Sequence, residues 1–157
     1  AVHDMRSHDA RDRPVRDQSL IGPHVVQQVA VLPPVDGELR VRIGDDRTVA
    51  RIVVARRHLH PGGYVHGGVW TALGDTAAAW ATFRAMPPHH DFTTIELKLN
   101  VFGSGRDGDV LTAVAEPLHS GRNTVVLDVK VERERAGESK LAANLVVTQF
   151  VIPPAVS

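Results

Sequence analysis

The chain contains no cysteine, which excludes disulfides, thiolate metal sites and a cysteine nucleophile together. Aromatic residues are scarce, with four Phe, two Trp and one Tyr in 157 residues. Aliphatic side chains must therefore fill most of the core, and a chain of this length suits one domain. Neither charge is in excess, because 18 basic residues balance 18 acidic ones. No strongly basic surface is implied, so neither nucleic acid nor an anionic membrane is expected as a partner. No apolar run approaches the roughly 20 residues of a membrane-spanning helix. The N-terminus lacks the basic-then-apolar layout of a signal peptide. The expectation is a soluble cytoplasmic protein. None of the nine histidines forms a His-x-x-x-His pair beside a helical Glu, and there is no Gly-x-Ser-x-Gly or phosphate-binding loop. Neither a metal nor a cofactor is expected.

What is present divides into a leader and one domain. Residues 1–18 are charged and nearly free of large apolar groups, so they read as a mobile leader. Met5 reads as a natural start, with the four residues before it an addition. Residues 19–157 form the domain. Its pattern is mostly β: a Val-rich strand at 24–32 stops at Pro33-Pro34, and an alternating strand at 38–43 meets the turn residues Gly44-Asp45-Asp46. A return strand is expected at 48–59. Four more strands follow Pro87-Pro88, at 92–102, 110–118, 124–134 and 140–152, with Gly in every break. The short links predict an antiparallel meander. Arg56-Arg57 and the Arg/Glu alternation at 132–135 read as solvated strand surface, and His89-His90-Asp91 as an exposed loop.

One segment differs. Gly67–Ala85 is alanine-rich, free of proline and ends before Pro87, which predicts a single helix roughly 28 Å long. Val69, Leu73, Ala77 and Trp80 recur at helical spacing and define an expected buried stripe. The other positions are small rather than charged, so the helix is expected to be covered on most sides by the sheet.

Asp75 lies mid-helix. On a helical wheel it shares a narrow face with Gly68, Thr71, Ala79 and Thr82, all within about 40° of it. Burying an isolated carboxylate costs several kcal/mol unless it is hydrogen-bonded or neutralised, and no Lys or Arg sits one turn away. Alone, such a residue could simply bond a neighbouring strand or face solvent. Its neighbourhood is more telling. His60-Pro61-Gly62-Gly63-Tyr64-Val65-His66-Gly67-Gly68 is a tight loop feeding the helix N-terminus, where the first backbone N–H groups lack internal partners and point out at the positive end. Glycines there let a ligand approach the backbone, making an oxyanion hole for a thioester carbonyl possible.

His66-Gly67-Gly68 followed by Asp75-Thr76-Ala77 resembles the signature of the PaaI-like hotdog thioesterases, relatives of the 4-hydroxybenzoyl-CoA thioesterases. The likeness spans most of residues 55–150. It includes Thr94-Ile95-Glu96-Leu97-Lys98-Leu99-Asn100 and the turn His119-Ser120-Gly121-Arg122-Asn123-Thr124. The resemblance implies an α+β hotdog fold, with a curved antiparallel sheet wrapped around one long helix, and hydrolysis of an acyl-CoA. It implies that Gly67 polarises the thioester carbonyl, that Asp75 is general base or nucleophile, and that Thr94 helps hold the water. Gly68 is expected beside Gly67, with His66 bracing the loop. Arg106, Ser120, Gly121, Arg122 and Asn123 are expected near the nucleotide of CoA. One position departs from the pattern: six residues before His66, where the family usually carries Asn or Gln, this chain has His60.

Distance adds a requirement of its own. Gly67 and Asp75 lie about 12 Å apart along one helix, whereas oxyanion donor and base must each sit about 3 Å from the reacting atoms. If both act on one substrate, they come from different copies of the chain, as in a twofold dimer. The resemblance implies that homodimer and its pairing into a homotetramer. Two rival readings are a hotdog dehydratase or hydratase of acyl thioesters, suggested by His60-Pro61-Gly62, and a non-catalytic acyl-CoA-binding protein.

Overall fold

The computed structural model describes residues 38–44 and 46–155. The leader, Met5, the domain start at residue 19 and the strand expected at 24–32 lie outside the described residues. Those described form β1 (Arg40–Ile43), β2 (Thr48–Val53), a single 3-10 turn (Arg56–His58), α1 (Gly67–Ala85), β3 (Asp91–Val101), β4 (Val110–Ser120), β5 (Thr124–Arg135) and β6 (Glu138–Ile152). The six strands make one antiparallel sheet in the order β1-β2-β4-β5-β6-β3, with the helix packed across one face. This is the expected hotdog architecture. The return strand ends sooner than expected, at Val53. Arg56 and Arg57 belong to the 3-10 turn that follows, not to strand surface.

The core is aliphatic, as the scarcity of aromatics requires. Alternate residues of β4, β5 and β6 (Leu111, Ala113 and Ala115; Val125, Leu127, Val129 and Val131; Ala143, Leu145 and Val147) face the helix and are buried. The helix answers with Trp70, Leu73, Gly74, Ala77, Ala78 and Thr82, spaced for one face of a 3.6-residue period. The expected stripe through Val69 and Trp80 is therefore rotated. Those two are half-buried at the margins, with Trp80 edge-on to Phe83, and Trp70 is the buried tryptophan at 2% exposure. Close approach explains the rotation: a Cβ on Gly74 would lie 2.5 Å from a methyl of Leu145. Small residues face the sheet because there is no room for large ones.

The helix is also less enclosed than expected. Gly67, Gly68, Ala72 and Phe83 are exposed, and Thr76 and Ala79 are only half-buried. Among the described residues, nothing covers this nearly uncharged helix face. The sheet is open beside it: β3, eleven residues long, pairs only with β6 among the described residues.

A bulge in β3 decides which residues enter the molecule. Phe92 opposes Val151 and Thr94 opposes Gln149; the register then shifts, and Leu97 and Leu99 oppose Val147 and Leu145. Cross-strand partners share a face, so the extra residue Ile95 puts Thr94 and Leu97 both on the helix side and turns Glu96 to the other, although Thr94 is exposed in the single chain. Ile95 is itself 58% exposed.

Candidate active site

The loop before the helix is held by its own backbone and by imidazoles. Leu59 and Val65 form an isolated bridge, His60 N–H donates to Tyr64 O (2.9 Å), and Gly63 takes the left-handed conformation (φ 80°) that closes the turn. The loop is tied down by Val65 N–H to Gly105 O and His66 N–H to His58 O, both 2.9 Å. Three histidines repeat one device, each accepting a backbone N–H at Nδ1: His58 from Ala55 (3.0 Å), His60 from Gly62 (2.9 Å) and His66 from Gly68 (2.9 Å). In the neutral ring this leaves the proton on Nε2. Burial, and then the charge of Arg57, hold His58 below the usual imidazole range, consistent with a neutral ring.

His66 is thus the N-cap of α1, and its extended backbone (φ −64°, ψ 141°) turns the chain into the helix. This cap alters one expectation. Gly68 N–H is taken by His66 Nδ1 and is not free to donate to a thioester oxygen. Gly67 N–H has no hydrogen-bond partner among the described residues, and space is open around its Cα.

Asp75 lies on the helix flank that faces β3 rather than diametrically opposite the core. It is half-buried and accepts from Thr94 Oγ1 at 3.0 Å. The two residues singled out 19 positions apart are therefore in contact. No ion pair to Asp75 is found among the described residues. A third residue, missed in the sequence, completes the group: Thr94 Oγ1 also lies 3.1 Å from Gln149 Oε1, and Gln149 is fully buried. The available signal was a lone polar residue at an inward position of a strand whose other inward residues are Leu145, Val147 and Val151.

The expected nucleotide contacts divide between two ends of the sheet. Arg106 is docked on the glycine loop, its guanidinium 4.9 Å over the Tyr64 ring and Nη2 donating to the Tyr64 hydroxyl (3.1 Å). Its backbone N–H donates to Asp109, a 4%-exposed carboxylate that also takes two hydrogen bonds from Arg135. Burial pushes the Asp109 carboxyl up, but the bonds from Arg135 and Arg106 outweigh it and hold it below the usual range. Ser120, Gly121, Arg122 and Asn123 form the β4–β5 hairpin end. There Gly121 N–H donates to Thr124 O, Arg122 Nε to Asn123 Oδ1, and Val151 N–H to Asn123 O. Arg106 and Arg122 flank the two ends of the eleven-residue β4, roughly 33 Å apart. Within one chain they cannot meet the same nucleotide, contrary to the simplest expectation.

Residues 62–140 match the family model described as the thioesterase superfamily. The chain belongs to that superfamily. A 1,4-dihydroxy-2-naphthoyl-CoA hydrolase of Listeria monocytogenes is 30% identical over 94 residues, covering 60% of this chain and 76% of the relative. A thioesterase of Haemophilus influenzae, 28% identical, superposes with a TM-score of 0.67 over 73% of this chain and 78% of its own. A hypothetical thioesterase solved with coenzyme A from Streptococcus pneumoniae, 25% identical, does so with 0.65 over 76% and 89%. The superfamily member described here is accordingly a thioester hydrolase of the acyl-CoA class. No helix among the described residues is long and apolar enough to cross a membrane, and no group of three or more potential metal ligands occurs among them.

Proposed function

We propose that this thioesterase cleaves its acyl-CoA at two equivalent sites, each built between two copies of the chain. Asp75 and Thr94 come from one copy, and Gly67 and His60 from the other. The observation that carries the reading is the Thr94–Asp75 hydrogen bond of 3.0 Å set against a Gly67 N–H about 12 Å away on the same helix. Two antiparallel helices across a twofold axis would close that gap. The nearly uncharged exposed face of α1 and the edge of β3, which has no partner strand among the described residues, support such a dimer, because a long edge strand is a natural place for a second chain to pair. The same arrangement answers the separation of the arginines: Arg122 lies at the sheet end nearer Asp75, and Arg106 is docked on the loop beside Gly67, so one dimer site draws one arginine from each copy. Pairing of dimers into a tetramer follows the resemblance, and the outer sheet face exposes Phe150 and Ile152 for it.

In this mechanism the thioester oxygen lies against Gly67 N–H, which stabilises the charge that develops there. Asp75, oriented by Thr94, takes a proton from water, and the hydroxide adds to the carbonyl carbon. The C–S bond then breaks, and the CoA thiolate leaves and is protonated. If Asp75 instead attacks directly, a mixed anhydride forms and water cleaves it; where water attacks the aspartyl carbonyl, single turnover in ¹⁸O-water places label in Asp75, which the general-base route never does. The hydrolase named among the relatives acts on an aromatic acyl-CoA, so aromatic thioesters head the substrate panel.

The test is Asp75→Asn, which keeps the Thr94 contact and removes the base. Thiol release from an acyl-CoA panel should fall by about 10³-fold or more with the oligomer intact by size-exclusion chromatography. A near-wild-type rate in that variant would refute the assignment.

A further inference from the structure

Gln149 is the one amide on an otherwise aliphatic inner face of β6, and it is 0% exposed. Its Oε1 lies 3.1 Å from Thr94 Oγ1, while its Nε2 is buried with no acceptor among the described residues. Thr94 Oγ1 is also 3.0 Å from Asp75 Oδ1. A hydroxyl carries a single proton. With Oε1 toward Thr94, the amide and the carboxylate compete for that proton while two N–H donors stay orphaned. With the amide turned by 180°, which hardly changes its shape, one Nε2–H donates to Thr94 Oγ1 and the hydroxyl proton has one protein acceptor left, Asp75 Oδ1. One N–H and the carbonyl oxygen then lack partners in place of two N–H groups, and an under-satisfied carbonyl is tolerated better than an orphaned N–H.

We propose that Gln149 is a positioning residue for thioester hydrolysis: its buried amide donates to Thr94, commits the Thr94 hydroxyl to Asp75, and so fixes which carboxylate oxygen is held and which is free to take a proton or attack. The proposal rests on the reading of Asp75 as base or nucleophile. The bulge at Ile95 belongs to the same device. It keeps Thr94 on the helix side, opposite Gln149, while Leu97 and Leu99 resume the core-facing register. Neither Gln149 nor the bulge touches the substrate; both act through Thr94.

The experiment is a double-mutant cycle on the intact protein. Gln149→Met nearly conserves volume and deletes the donor; Thr94→Val deletes the relay. Gln149→Met should lower kcat about tenfold with KM within about twofold, since an interaction acting on the base affects turnover rather than uniform binding. In the Thr94→Val background the same substitution should cost nothing further, because the amide then has no hydroxyl to orient. Gln149→Leu serves as the second variant. It deletes the donor with an aliphatic side chain like those of its neighbours Leu145 and Val147, so it should lose a similar share of kcat. Asp75→Asn is run in parallel. Wild-type kcat in Gln149→Met, or in Gln149→Leu should the first variant not fold, overturns the proposal while Asp75→Asn stays inactive. So do losses that multiply in the double variant. An active Asp75→Asn overturns the functional reading instead.

Discussion

His60 stands where relatives of the resembling family usually carry an amide, and its hydrogen bonding shows what an imidazole can do in that place. Nδ1 accepts from Gly62 N–H, so the neutral ring has one remaining polar group, Nε2–H, a donor like an amide N–H. A Cβ on Gly62 would lie 2.6 Å from the His60 ring, so the folded-back ring depends on glycine at that position. His60→Gln should keep kcat/KM within about threefold, whereas His60→Ala should lose about tenfold or more if the ring contacts the thioester; steady-state kinetics on one acyl-CoA decide. At this scale much of the candidate site was legible. Asp75 announced itself as an unpaired carboxylate among small residues, and Gly67 as a glycine at a helix start. The loss of Gly68 as a donor was not legible, because it depends on the rotamer of His66. Gln149 was hidden by its distance along the chain, 55 residues from Thr94, although its parity with Leu145 and Val147 marked it as inward.

Among the elements, α1 was readable from end to end, because its signals are local: a loop that caps the first turn with His66, an alanine-rich run, and Pro87 just past Met86. Which face it buries was not readable from residue size, since the sheet approaches so closely that Gly74 and Ala78 are core residues. Gly74→Ala makes the point measurable. Alanine is favoured over glycine in a helix by about 1 kcal/mol, yet the new methyl would meet the side chain of Leu145, which is fully buried and can yield only by pressing on its packed neighbours. Overpacking costs about 1–3 kcal/mol, so thermal unfolding should show a lower Tm rather than the rise propensity alone would give. The same logic applies to β3. The apolar residues change parity between Phe92 and Leu97, and that change is the sequence trace of the bulge; a strand read as one continuous alternation hides it.

For the whole molecule, the proposal of a second chain followed from the rise per residue of a helix, whereas the surfaces proposed for it, the face of α1 and the edge of β3 that no described residue covers, came into view only with the fold. Subunit complementation tests the arrangement. Gly67→Pro removes the oxyanion N–H at the first helical position, where proline is tolerated. The preceding His66 already has the extended ψ of 141° that a proline demands of its neighbour, and the site around Gly67 is open. Alone, Gly67→Pro should lose about 10²–10³ in kcat, and Asp75→Asn should be inactive. Unfolded together at equal amounts and refolded, they should recover roughly a quarter of wild-type activity, because about half the dimers are mixed and each has one intact site. No recovery would mean that both groups act within one chain or not at all.

The open edge of β3 gives this arrangement a cost in time. A newly made subunit carries eleven residues of strand whose outer hydrogen-bonding side has no partner strand among the described residues, and an edge of that kind pairs with whatever strand reaches it first. On the dimer reading, the encounter that covers this edge is the one that brings Gly67 to Asp75. A newborn chain is then idle for as long as it is vulnerable, and dilution of the purified enzyme should bring loss of turnover and faster hydrogen exchange along β3 together.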